Sequence, residues 1–178
     1  SNLKFLGLIV KKNLVLVGMM ASGKTTLGKI VAKKQNLKFI DTDLNIEKKN
    51  SMKINEIFEN KGEDFFRSEE EKEVLKCLKK NNCVISIGGG AFMNRAIRES
   101  VLKNSISIWL DIDVKTINKR VGWNKKRPLL KKGNNLEKIN ELYNKRKDTY
   151  KKAKYKISCG NLGKETLVKK ILDLYEKQ

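Results

Sequence analysis

The chain has 178 residues, 39% of them hydrophobic, no histidine, and 40 Lys+Arg against 20 Asp+Glu, a formal net charge of +20. This length suffices for one domain whose core needs no disulfide or structural metal, and no run approaches the roughly 20 apolar residues that cross a bilayer. Without histidine there is no Ser-His-Asp triad, imidazole base or His-ligated metal, so acid–base work falls to Asp, Glu, Lys or Tyr, and any metal should be a hard, oxygen-bound ion.

Residues 1–12 read as an extension with no assigned role. Ser1-Asn2 resembles a remnant of tag removal, and the run FLGLIV at 5–10 lacks the small-residue cleavage site of a signal peptide. The first strand is expected over 13–18, NLVLVG, and GMMASGKTT (18–26) follows at once, opening a helix with Leu27, Ile30 and Val31 on one face. This is GxxxxGK[ST] in the strand–loop–helix setting that the motif requires. Gly18 and Gly23 let the backbone wrap, so that N–H groups through Ala21, Ser22 and the helix start at Thr25 and Thr26 converge on phosphate oxygens. Lys24 would bridge the β- and γ-phosphates, and the Thr25 hydroxyl would ligate Mg²⁺. A nucleoside triphosphate is the expected ligand.

The second strand, KFID at 38–41, runs into Asp41-Thr42-Asp43. Two readings stay open: turn and cap chemistry, or a site that needs two acids. If the backbone is still extended, both carboxylates leave one face. One would then help hold Mg²⁺ through its water shell, and the other would take the proton of a hydroxyl attacking the γ-phosphate.

Helical spacing returns at Val74, Leu75 and Leu78, before a strand over 83–88, CVISIG. That strand ends in Gly88-Gly89-Gly90, which clears side chains so that backbone amides can approach a ligand. SISIWLD at 105–111 and YKISC at 155–159 are the remaining strands, and a last helix over 164–177 carries Leu167, Ile171 and Leu174. The most loop-like interior stretch is GWNKKRPLLKKGNN, 122–135. Strands alternating with helices, joined by right-handed crossovers, make a layered α/β fold with ligands at the carboxyl ends of the strands.

The basic residues are 34 lysines and only 6 arginines, beside 18 Asn and 16 Ile, the excess that an AT-rich coding bias produces. No nucleic-acid-binding module accompanies the charge, so nucleic acid is not an expected partner, though the charge should attract anionic ligands. The few arginines stand at telling places. A guanidinium grips a carboxylate or phosphate bidentately, which lysine cannot do. Arg67 and Arg146 are candidates to clamp an anionic substrate, Arg127 to meet the transferring phosphate and Arg120 to meet the nucleotide, with Arg95 and Arg98 as ordinary surface arginines. Cys77, Cys83 and Cys159 stand singly, as reduced thiols of a cytoplasmic protein do.

Taken together, these stretches resemble shikimate kinase from about Asn13 onward. The marks appear in order: GxxxxGKT, DTD, G-E-x-x-F-R-x-x-E (Gly62, Glu63, Phe66, Arg67, Glu70), GGG, RPLL and R-x-x-x-Y (Arg146, Tyr150). The resemblance implies a P-loop kinase fold: a five-stranded parallel sheet of order 2-3-1-4-5 flanked by helices, with a helical substrate-binding segment near 42–72 and a lid near 122–134. It implies ATP- and Mg²⁺-dependent phosphorylation of the 3-hydroxyl of shikimate in a cytoplasmic, monomeric enzyme with no membrane partner. Asp41 becomes the metal-side acid. Asp43, with Lys24 and Arg127, becomes catalytic, gripping the substrate hydroxyls and serving as the candidate base. Arg67, Arg146 and the Gly88–Gly90 backbone, chiefly Gly89, would hold the substrate carboxylate, with Glu70 orienting Arg67 from three residues on. Arg127 matches the lid arginine, and Arg120 the one that lies against adenine. Phe58 and Phe66 line the ring's apolar side, or are plain core aromatics.

Two departures stand out: Ala21 where the cradle usually has glycine, and no proline in SCGNLGKE near the adenine position. A gluconate-type kinase would share the cradle and lid but has less reason to combine DTD, FRxxE and GGG. A basic nucleic-acid-binding ATPase would draw its support from KRKDTYKKAKYK at 145–156, where a solvated helix face accounts for the lysines.

Overall fold

The computed structural model describes residues 10–122 and 135–177. Along them run β1 (Asn13–Val17), α1 (Lys24–Gln35), β2 (Lys38–Asp41), α2 (Thr42–Asn50), α3 (Ile54–Lys61), α4 (Glu63–Leu78) and β3 (Cys83–Ser86). A 3-10 turn (Ala91–Met93) leads to α5 (Arg95–Asn104), β4 (Ser105–Asp111), α6 (Val114–Gly122), α7 (Asn135–Tyr150), β5 (Tyr155–Ser158) and α8 (Lys164–Glu176). All neighbouring strands pair in parallel, in the order β2-β3-β1-β4-β5. This is the P-loop kinase arrangement.

Strands β1 and β3 are buried along their whole length and β4 nearly so, which is why they read as unbroken apolar runs and not as alternating ones. Three expected strands end one or two residues early, at Val17, Ser86 and Ser158, although the Ile87 and Cys159 N–H groups beyond two of those ends still donate to the Leu16 and Asp111 carbonyls. Helices α1 and α8 pack together, as do α4 and α5. No described helix is long and apolar enough to cross a membrane.

The segment expected over 42–72 continues to Leu78. Its front part builds a small core of Ile46, Ile57 and Phe66, while Val74, Cys77 and Leu78 at the end of α4 join the main core under the sheet. One helix thus ties the two cores together. The expected lid lies outside the described residues except for Gly122, and Arg127 lies outside them too.

Register sets where the site forms. Asp41 pairs with Ser86, Ser86 with Leu16, and Leu16 with Ile108, one row across four strands. The chain leaves β1, β2 and β3 at or just beyond this row. The cradle loop, the start of α2 and the glycine turn therefore emerge at the same carboxyl edge.

Candidate active site

A cavity of about 1030 Å³ opens along that edge. Its wall at one end is the cradle. Gly18 has φ +146°, and a Cβ on it would stand 2.7 Å from the Leu110 carbonyl oxygen, so only glycine lets the chain leave β1 this close to β4. Gly18 itself lies behind the wall, whereas Ala21, Ser22, Gly23, Lys24, Thr25 and Thr26 line it. Lys24 is buried, and its Nζ donates to the carbonyls of Gly18 and Met19, both at 2.8 Å. Arg120, on α6, lines the cavity and donates from Nη1 to the Ala21 carbonyl at 2.8 Å.

Ala21 explains the first departure from the family pattern. Its φ is +57°, a left-handed conformation that costs an L-residue about 1–2 kcal/mol. Glycine escapes that cost but gains about 0.4–1 kcal/mol of freedom in the unfolded chain. Ala21→Gly should therefore raise stability by about 0.5–1 kcal/mol, a Tm gain of about 1–4 °C in a calorimetric melt.

Asp41 and Asp43 do not share an extended strand face. Strand β2 stops at Asp41, which is the N-cap of α2, and Asp43 lies in the first helical turn. Asp41 Oδ1 accepts the N–H groups of Asp43 (3.0 Å) and Leu44 (3.3 Å). Those amides have no intrahelical acceptor, and a capping carboxylate supplies one. Its other oxygen, Oδ2, accepts from the Thr25 hydroxyl at 3.0 Å. One residue therefore does both things the sequence left open: it caps a helix and reaches the residue expected at the metal. Thr25 Oγ1 beside a carboxylate is a hard-oxygen pair that suits Mg²⁺, an ion that keeps waters and phosphate oxygens as most of its ligands. Among the described residues no cluster of three or more Asp, Glu or Cys forms a protein cage for an ion.

The glycine turn makes room for charge. A Cβ on Gly88 would meet Asp43 Oδ1 and Glu70 Oε2, each at 2.9 Å. On Gly89 it would stand 3.0 Å from Arg146 Nη1, and on Gly90 it would be 2.6–2.9 Å from the Arg67 guanidinium. Each of the three glycines thus clears space for a different charged group that the sequence singled out. Glu70 holds Arg67 as its spacing suggested, with Oε1 2.8 Å from Nη1, and Glu63 Oε1 lies 3.7 Å from Arg67 Nε. Arg146 is buried, and Tyr150, one turn on, is fully buried. Its hydroxyl donates to the Gly89 carbonyl, and burial pushes that phenol up to about 12. Phe58 and Phe66 have ring centroids 4.9 Å apart; Phe66 belongs to the small core, Phe58 packs against it, and both residues line the cavity.

Arg98 is not the ordinary surface arginine expected. Its Nη1 donates to the carbonyls of Phe92 (3.0 Å) and Met93 (3.2 Å), bracing the 3-10 turn that follows the glycines. Arg95 is exposed and pairs with Glu99. Sequence reasoning also missed Glu47, Lys53 and Ile54 on the wall. Glu47 lies four residues after Asp43, which on a helix is the same face, but that signal needed the start of α2 at Thr42 to be known. Cys159, Gly160 and Leu162 border the cavity from the loop where no adenine contacts were named.

A family model described as shikimate kinase matches residues 20–176. The chain is 41% identical over 161 residues to the shikimate kinase of Sulfurihydrogenibium sp. (strain YO3AOP1), covering 90% of this chain and 96% of that one. Its fold matches the structure of shikimate kinase from Acinetobacter baumannii in complex with shikimate, with a TM-score of 0.90 and 33% identity over 94% of each chain. A gluconokinase from Sinorhizobium meliloti shares the fold alone, with a TM-score of 0.63 and 14% identity over 94% of this chain and 93% of that one.

Proposed function

The chain belongs to the shikimate kinase family, and on that premise we propose how its cavity divides the work of the family's reaction. That reaction transfers the γ-phosphoryl group of ATP to the 3-hydroxyl of shikimate, giving shikimate 3-phosphate and ADP. ATP lies along the cradle, with its phosphates on the N–H groups of Ala21 to Thr26 and on Lys24. Shikimate lies between α2, α4 and the glycine turn, its ring against Phe58 and Phe66. The observation that carries this reading is the glycine turn, where two guanidinium groups and a carboxylate from three helices converge on one backbone stretch.

Arg67 and Arg146 with the Gly88–Gly90 amides bind the substrate carboxylate, which orients the 3-hydroxyl toward Asp43. Asp43 accepts the proton as the hydroxyl attacks. Lys24 stands on the phosphate side, Arg120 keeps the place against the nucleotide base, and Arg127 takes the phosphate-side role that the resemblance gives it. Thr25 and Asp41 would hold Mg²⁺, which neutralises charge on the β- and γ-phosphates when bound. Three buried cysteines, none in a disulfide, accord with a reducing cytoplasm.

The test is ADP release in a coupled assay with Mg-ATP and shikimate, gluconate or no acceptor. Release with shikimate only is the expected result. Release indifferent to the acceptor would leave the cradle intact as a reading and remove the second ligand.

A further inference from the structure

We propose that substrate binding in this chain is proton-coupled through Glu70: when the shikimate carboxylate docks on Arg67 and Arg146, Oε2 of Glu70 takes a proton from solvent. The inference rests on the reading of the site given above and names a positioning residue within it.

Glu70 is 2% exposed. Its two oxygens are treated very differently. Oε1 is held by Arg67, whereas Oε2 is buried with no hydrogen-bond partner among the described residues. That oxygen and Asp43 Oδ1 each lie 2.9 Å from the same point, the place of a Cβ on Gly88, so the two acids are less than about 6 Å apart. The groups that face Glu70 can be taken element by element. On α4 stand Arg67 and, behind it, Glu63; on α2 stands Asp43; on α7 stand Arg146 and Tyr150. The turn from Gly88 through Met93 carries no ionisable side chain.

The charge balance of this cluster is poised. Burial raises the Glu70 carboxyl above the ordinary carboxylate range, while Arg67 and then Arg146 pull it back down. The same two guanidinium groups are the ones that receive the substrate's carboxylate. Once they are shared, the compensation that opposes the effect of burial on Glu70 is shared too. A new unit charge about 6 Å away, at an effective dielectric constant of about 20, makes protonation about a hundredfold easier. The proton belongs on Oε2, because Oε1 keeps its bond to Arg67. One negative charge arrives and one proton follows it, so the site gains no net charge. The new O–H faces the Asp43 carboxylate, turning a repulsive neighbour into a hydrogen-bond donor that holds Asp43 toward the substrate hydroxyl.

Titration calorimetry of shikimate binding, without nucleotide and in buffers of different ionisation enthalpy at one pH, reads the proton directly. The expected heat varies linearly with buffer enthalpy, with a slope equivalent to uptake of up to about one proton that is larger near about pH 6 than near about pH 8. Glu70→Gln should abolish the slope. In the wild-type protein, an infrared difference spectrum should gain a neutral carboxyl band on adding shikimate. If Glu70→Gln fails to fold, the wild-type slope and band decide alone. Shikimate heats that do not depend on buffer overturn the proposal and leave the shikimate site standing. The same slope in Glu70→Gln overturns it by placing the proton elsewhere. No shikimate heat at all, with ADP still binding, removes the substrate reading and this proposal with it.

Discussion

Asp43→Asn is expected to lower kcat about 10²–10⁴-fold while leaving the KM for ATP within about twofold. The first turn of α2 holds this side chain over Gly88, where any Cβ would collide with it, so its place is fixed by backbone and not by ligand. Asparagine keeps the size but turns one acceptor oxygen into an NH2 donor, and it cannot accept the hydroxyl proton at neutral pH. Steady-state kinetics in both substrates separate the possibilities. Loss of kcat alone fits a base or a group that orients the attacking hydroxyl. Equal loss of kcat and ATP affinity would instead assign Asp43 to the nucleotide or its metal, since Asp41, two residues away, already reaches Thr25 at 3.0 Å.

That pair marks the boundary of what the residues alone disclose. The strands were legible because a parallel sheet buried on both faces writes itself as unbroken Val, Ile and Leu runs. The cradle was legible because phosphate geometry tolerates few spacings. The strand order came from the ordered motifs of a family and from nothing in the local pattern. For DTD the local pattern left cap and shared strand face both open, and the backbone takes the cap: the free amides of α2 draw Asp41 into it and the helix starts one residue later. Both acids still reach the cavity, by a different backbone route.

Other features were illegible for a common reason, that their partners are backbone carbonyls, which no residue type marks. Arg98 sits on an amphipathic helix where nothing nearby signals the carbonyls of Phe92 and Met93. Tyr150 belongs to a recognised motif, but its hydroxyl bond to Gly89, 61 residues away, is a tertiary fact. The glycines were read as room for ligand amides. They prove also to be room for Asp43, Arg146 and Arg67, because the charged groups of three helices must all approach one turn.

That last fact makes Gly90→Ala a sharp test. The added methyl would stand 2.6, 2.7 and 2.9 Å from Nη1, Nη2 and Cζ of Arg67, distances at which something must move. What moves is the far end of a flexible side chain, half-buried and tied to Glu70 by one 2.8 Å contact, so the fold should tolerate the change. Gly90 has φ −91°, which alanine adopts freely. The guanidinium, however, leaves the position from which it would bind the substrate carboxylate. A charge-assisted hydrogen bond contributes about 1.5–3 kcal/mol, so the KM for shikimate should rise about 10–100-fold, with Tm little changed and the KM for ATP unaffected. Arg67→Lys should give a loss of the same size, because lysine reaches the site but cannot form the fork. If Gly90→Ala keeps wild-type shikimate kinetics while Arg67→Lys does not, the guanidinium has a second productive position. If neither variant changes them, Arg67 is a structural partner of Glu70, and the carboxylate rests on Arg146 and the glycine amides alone.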